Sequence, residues 1–216
     1  MITAGVQQLN LPERIANAKC RIWFHAPPYG RFAASAPLCD ALHAALSRAD
    51  GPNLTVATLP DLDSHPQIAW LPDFMRLLRP RSSRDDIRQE LAASHTFLGQ
   101  LADHYGHRVS IHTILLRPSL PVLLVDDTIC FGHFARSAVM TPDGFWCTVT
   151  APVERLLQLA GEGVLPDEVD TTRTSDALNA LSPEHRAAFR IIEECVSTTR
   201  TAASTTMLPK PSSTKP

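Results

Sequence analysis

Residues 122–135 read VLLVDDTICFGHFA. The run is apolar up to Val125, carries two acids and a threonine at 126–128, and returns apolar through Ile129, Cys130 and Phe131. Branched and aromatic residues on either side of a short acidic segment are the pattern of two strands joined by a turn, because aspartate side chains hydrogen-bond their own backbone. This hairpin decides the fold. It also poses a question: Asp126 and Asp127 either do chemistry or only reverse the chain.

Upstream of the hairpin, residues 108–116 (RVSIHTILL) read as a further strand. Before it, Ser83 with Asp86 three residues on opens a long helix whose apolar face holds Ile87, Leu91, Leu98, Leu101 and Tyr105, and Gly106 ends it. Residues 60–83 contain four prolines and read as irregular, with one or two helical turns at 73–78. Further back, residues 20–26 (CRIWFHA) form a buried strand, Ser35 and Pro37 open a helix, and residues 54–59 (LTVATL) form the next strand. Strand, helix, strand in that order calls for a parallel crossover. Downstream, Pro142-Asp143-Gly144 turns into the strand FWCTVT, a helix runs from Pro152 to Ala160, and a last helix runs from Ser182-Pro183 to about Thr198. The expected fold is therefore α/β, with a mixed, mostly parallel sheet and helices on both faces. Residues 1–18 read as an N-terminal leader with a short helix at 12–18, residues 19–197 as a single domain, and residues 198–216 as a disordered C-terminal tail with almost nothing to bury.

At this point the hairpin resembles one half of the phospholipase D-like superfamily, over residues 20–160. Active members carry His-x-Lys, an Asp five residues after the Lys, and a hairpin ending in a small pair. Laid on this chain, the Asp falls on Asp126, the tight turn on Asp127, the Lys on Pro121 and the His on Ser119. Gly132 stands near the small pair, one residue early. The resemblance implies a degenerate member with the catalytic His and Lys replaced, which binds or regulates and does not cut phosphodiesters. Active enzymes use two such halves, and one chain of 216 residues holds one, so the resemblance implies a homodimer.

The other candidates follow from residue chemistry. His25, His112 and His133, with Asp126, can form a general acid–base cluster if neighbouring strands bring them together, giving a hydrolase or phosphodiesterase as the alternative function. The plainer reading makes His25 and His112 hydrogen-bonded sheet histidines. Arg31 and Ser35, after the first strand, and Arg136 and Ser137, after the hairpin, sit in loops where a small anionic ligand can be held. Arg79, Arg81 and Arg84 lie in an arginine-rich loop that offers a nucleic-acid surface as a third reading. Asp85 and Asp86 among them, and a net charge of -2, argue against it. Five scattered cysteines without a C-x-x-C pair read as reduced thiols, and no metal or cofactor is called for. No apolar run approaches a membrane span, and the N-terminus carries no secretion signal, so the expected location is cytoplasmic.

Overall fold

The computed structural model describes residues 1–25, 30–63, 65, 67–133, 144–161, 176–201 and 203–204. Its strands are β1 (Ile2–Ala4), β2 (Arg21–His25), β3 (Asn53–Thr58), β4 (Val109–Thr113), β5 (Val122–Val125), β6 (Thr128–Gly132), β7 (Phe145–Thr150) and β8 (Ala203–Ser204). Its helices are α1 (Leu11–Ala16), α2 (Gly30–Ala33), α3 (Ala36–Leu46), α4 (Leu71–Leu78), α5 (Arg84–Tyr105), α6 (Val153–Leu159) and α7 (Pro183–Thr201). The strands form one sheet in the order β1-β7-β6-β5-β2-β3-β4-β8.

The sheet is mixed, as expected, but not mostly parallel. Among the described residues two pairings, β2 with β3 and β3 with β4, are parallel and five are antiparallel. The reason is connection length. A parallel return needs a crossover of a dozen or more residues. α3 supplies one between β2 and β3, and α4 with α5 another between β3 and β4. The eight residues 114–121 between β4 and β5 contain no helix. That segment steps across the ends of β3 and β2, so β5 starts at the edge where β4 stops and runs antiparallel to β2. The two-residue turn after β5 forces β6 antiparallel in the same way.

Helices cover both faces. Ile22, Phe24, Leu54, Val56, Leu123 and Val125 face a core shared with α1, α3 and part of α5. Trp23, Val122, Leu124 and Ile129 point the other way and pack beneath α6 and α7 through Leu156, Phe189, Ile192 and Cys195. A third cluster joins Ala57 and Leu59 of the β3 end to α4 and the start of α5. α5 begins as its sequence requires: Asp86 N–H donates to Ser83 Oγ at 3.1 Å and Ser83 N–H to Asp86 Oδ2 at 2.8 Å.

Two boundaries move. The leader is part of the fold: β1 pairs with β7, and Leu9, Leu11, Ile15 and Ala18 are core residues. Burying three large aliphatic side chains contributes about 6 kcal/mol before entropy, comparable to the whole net stability of a domain. At the other end α7 runs to Thr201, and Ala203–Ser204 add to the free edge of β4. The rest of the expected tail, residues 205–216, lies outside the described residues.

Three arginines close helix C-termini, where backbone carbonyls have no intrahelical donor. Arg48 donates to Ala16 O at 2.5 Å and to Ala18 O beyond α1. Arg108 donates to Arg48 O at 2.5 Å and to Ala49 O beyond α3. Arg200 donates to Ala160 O at 2.7 Å and to Gly161 O beyond α6.

Candidate functional site

Asp126 occupies the first turn position with φ 48°, a left-handed conformation that aspartate tolerates better than most residues. Its carboxylate accepts three backbone N–H groups: Oδ2 from Lys19 at 2.9 Å, and Oδ1 from Cys20 at 2.7 Å and Arg21 at 3.1 Å. Its own N–H donates to Arg21 O at 2.9 Å. Asp127 Oδ1 accepts the Val153 N–H at 3.1 Å, where α6 starts, and Asp127 O accepts from Ala151. One acid fastens the entry of β2 and the other the entry of α6.

The histidines gather elsewhere. His25 ends β2, four residues from the Arg21 end that Asp126 holds, which is roughly 13 Å at strand rise. His25 and His112 both pair with Ala57, so they share the face under α7, two strand spacings or roughly 10 Å apart. His133 follows β6 and stacks on Phe145 with ring centroids 6.3 Å apart. From His112 it is four strand positions away, roughly 19 Å. The expected cluster of His25, His112, His133 and Asp126 is therefore not assembled. The reason is the sidestep at residues 114–121, which leaves Asp126 at the edge where β2 begins and the histidines toward the edge where it ends.

His25 departs from the reading of a hydrogen-bonded sheet histidine. It is fully buried, and among the described residues neither Nδ1 nor Nε2 has a hydrogen-bond partner. Burial lowers its pKa to about 4, with the Glu194 carboxylate pulling the other way. His112 Nδ1 is also buried with no hydrogen-bond partner among the described residues, and burial lowers this pKa as well. Glu194, on α7, was not legible as a site residue. Its Oε1 accepts the Ser119 N–H at 3.0 Å, tying α7 to the loop that precedes β5. Ser119, at the family's His position, is exposed. Pro121, at its Lys position, is buried, and its carbonyl accepts the Gly132 N–H at 3.1 Å.

The arginine-rich loop is partly spent. Arg79 is 8% exposed and grips Glu90 through Nε to Oε2 at 2.8 Å and Nη2 to Oε1 at 2.6 Å. It has no freedom to meet a phosphate, which removes it from the nucleic-acid reading. Arg81 and Arg84 are exposed, while Arg88 pairs with Asp63 and Asp85. Ser35 is the residue before α3, and its hydroxyl makes no cap hydrogen bond to the helix. The Arg31 side chain, Arg136 and Ser137 lie outside the described residues.

All five cysteines are unbridged. Burial pushes the Cys130 and Cys195 thiols up, away from the thiolate form a nucleophile needs. Among the described residues no group of three or more His, Cys, Asp or Glu has metal-holding geometry, and no helix is long and apolar enough to cross a membrane.

No family model matches the chain, and no curated protein matches it. A solved structure that does match is that of TrmBL2, described as an archaeal chromatin protein with a novel mode of DNA binding. The match has a TM-score of 0.38 and 10% identity, and it covers 83% of this chain and 52% of that one. This chain thus spans about half the length of that protein.

Proposed function

We propose that the chain is a non-catalytic regulatory or interaction module, built on a degenerate phospholipase D-like half and working as a homodimer. The supporting observation is the fate of Asp126. Both of its oxygens are committed to backbone N–H groups, at the opposite edge of the sheet from the end of β2 that carries His25. A carboxylate whose two oxygens already accept three backbone amides has neither oxygen free to exchange protons with a substrate. Ser119 and Pro121 offer neither a phosphorus nucleophile nor a phosphate-binding cation.

Two measurements test this. Incubation with bis(4-nitrophenyl) phosphate should give no release of nitrophenol above buffer, and light scattering across a concentration series should show a monomer–dimer equilibrium. Turnover that disappears in Asp126→Asn would overturn the non-catalytic reading. A monomer at every concentration would remove the dimer.

A further inference from the structure

We infer that a second copy of this chain docks on the free edge of β1, the two β1 strands pairing antiparallel about a two-fold axis at Thr3 and joining the sheets edge to edge. This deepens the dimer part of the proposed function and rests on it. β1 ends the sheet, and among the described residues no strand pairs with its outer side. The register fixes which backbone groups face outward. Met1 N donates to Thr148 O at 2.9 Å, Thr148 N–H donates to Met1 O at 2.8 Å, and Gly5 N–H donates to Gly144 O at 2.8 Å. Hydrogen-bonded and non-hydrogen-bonded pairs alternate along an antiparallel ladder. Met1, Thr3 and Gly5 therefore bond inward to β7, and Ile2 and Ala4 turn their N–H and C=O groups to the open side.

This edge is self-complementary. With the axis at Thr3, Ile2 lies opposite the partner's Ala4, and Ala4 opposite the partner's Ile2. Each of these pairs exchanges two hydrogen bonds, so the outward groups of Ile2 and Ala4 in both copies are all used. The side chains fit the same axis. Ile2 and Phe145, 75% and 52% exposed, lie on one face of the sheet, because Ile2 stands opposite Cys147 and Phe145 is two residues before it. Across the seam Ile2 meets the partner's Ala4, whose small side chain leaves room for contact with the partner's Phe145 beyond it. Both apolar side chains lose water in the pairing. Residues 1–6, MITAGV, hold no charged side chain and no proline, the usual means by which edge strands are kept apart. The opposite edge of the sheet differs, because β8 already covers the end of β4 at His112 and Thr113. A contact this short belongs with small interfaces, whose assembly depends on concentration.

The test is light scattering across a concentration series for the full wild-type chain, Ala4→Pro and Ile2→Lys. Proline at position 4 removes an outward N–H and no bond to β7, and Ile2 is exposed, so both variants should keep the wild-type far-ultraviolet circular dichroism. Each should weaken the dimer roughly tenfold or more, the first by removing an N–H donor from each copy and the second by setting a charge at the seam. Thr3→Cys in a Cys20→Ser background reads the axis directly. Two Thr3 positions facing each other as a non-hydrogen-bonded pair have Cα atoms about 4.5 Å apart, within disulfide reach. Diamide should convert this variant to a covalent dimer on a non-reducing gel and leave the Cys20→Ser parent uncrosslinked. A wild-type dimer that neither substitution weakens, or a Thr3→Cys protein that crosslinks no more than its parent, overturns the β1 seam and leaves the dimer reading standing. A wild-type chain that stays monomeric overturns both, so the two readings fail separately.

Discussion

Arg79 and Glu90 meet through two parallel hydrogen bonds of 2.8 and 2.6 Å, with their side chains 8% and 13% exposed. The pair joins the end of α4 to the second turn of α5. It also lies beside α2, because a Cβ at Gly30 would stand 2.7 Å from Glu90 O. Removing one partner from a buried pair strands the other charge. Arg79→Ala is therefore expected to cost about 3 kcal/mol in denaturant unfolding. Arg79→Met with Glu90→Leu together should recover most of that loss, because apolar residues of similar volume replace a buried pair without a stranded charge. A single mutant with wild-type stability would show that the pair is spent on something other than holding the helices.

Asp126 is expected to matter for stability and not for turnover. Asp126→Ala loses a charged acceptor for three amides and places a Cβ residue without a compensating side-chain bond at φ 48°. The expected loss is about 2 kcal/mol. Asp126→Gly relieves the backbone but still loses the acceptors, so it should lie between Ala and wild type. Chemical denaturation of the three proteins gives the order, and Gly below Ala would refute the backbone part of the account.

Acid should destabilise the fold through His25. Its folded-state pKa, lowered to about 4 chiefly by burial, lies below the ordinary value of 6.5, so the folded state takes up the proton less readily than the unfolded chain. Its contribution is fully present above pH 6.5 and is lost as the pH falls toward 4, by on the order of 3 kcal/mol. His95 and His112 are shifted in the same direction, first by burial, and add to the slope. Unfolding free energies measured from pH 8 to pH 4 should fall steeply in that window. His25→Phe should flatten the curve, and an unchanged slope in that variant would rule out His25 as its source.

Arg108 should not be replaceable by lysine. Its guanidinium reaches Leu46 O at 3.4 Å and Arg48 O at 2.5 Å from one nitrogen, and Ala49 O from the other. A lysine ammonium cannot span that fork. Arg108→Lys is expected to cost about 1 kcal/mol and Arg108→Ala about 2 kcal/mol in thermal unfolding. Equal midpoints for Lys and Arg would mean that charge alone closes α3.

Much of the element structure was legible because local chemistry is strong where it counts. The Ser83–Asp86 capping box depends on side chains bonding backbone three residues away, the stop at Gly106 on a positive φ that glycine adopts without strain, and the Asp126-Asp127 turn on a left-handed position that aspartate tolerates. The hydrophobic periods of β2, β3 and α5 likewise stood in plain view. The role of Asp126 did not, since its partners Lys19, Cys20 and Arg21 lie more than a hundred residues earlier. The same holds for Glu194, an ordinary helix-surface acid until α7 is laid across the end of β2.

Sequence alone determined the α/β class, the hairpin and most helix and strand spans, because capping, turn chemistry and apolar periodicity act over a few residues. Tertiary structure decided which strands are parallel, whether residues 1–18 belong to the core, and which edge of the sheet each acid and histidine occupies. Those outcomes depend on how far the eight residues 114–121 can reach and on which distant backbone amides a carboxylate happens to meet. Neither the reach nor the meeting leaves a local pattern in the chain.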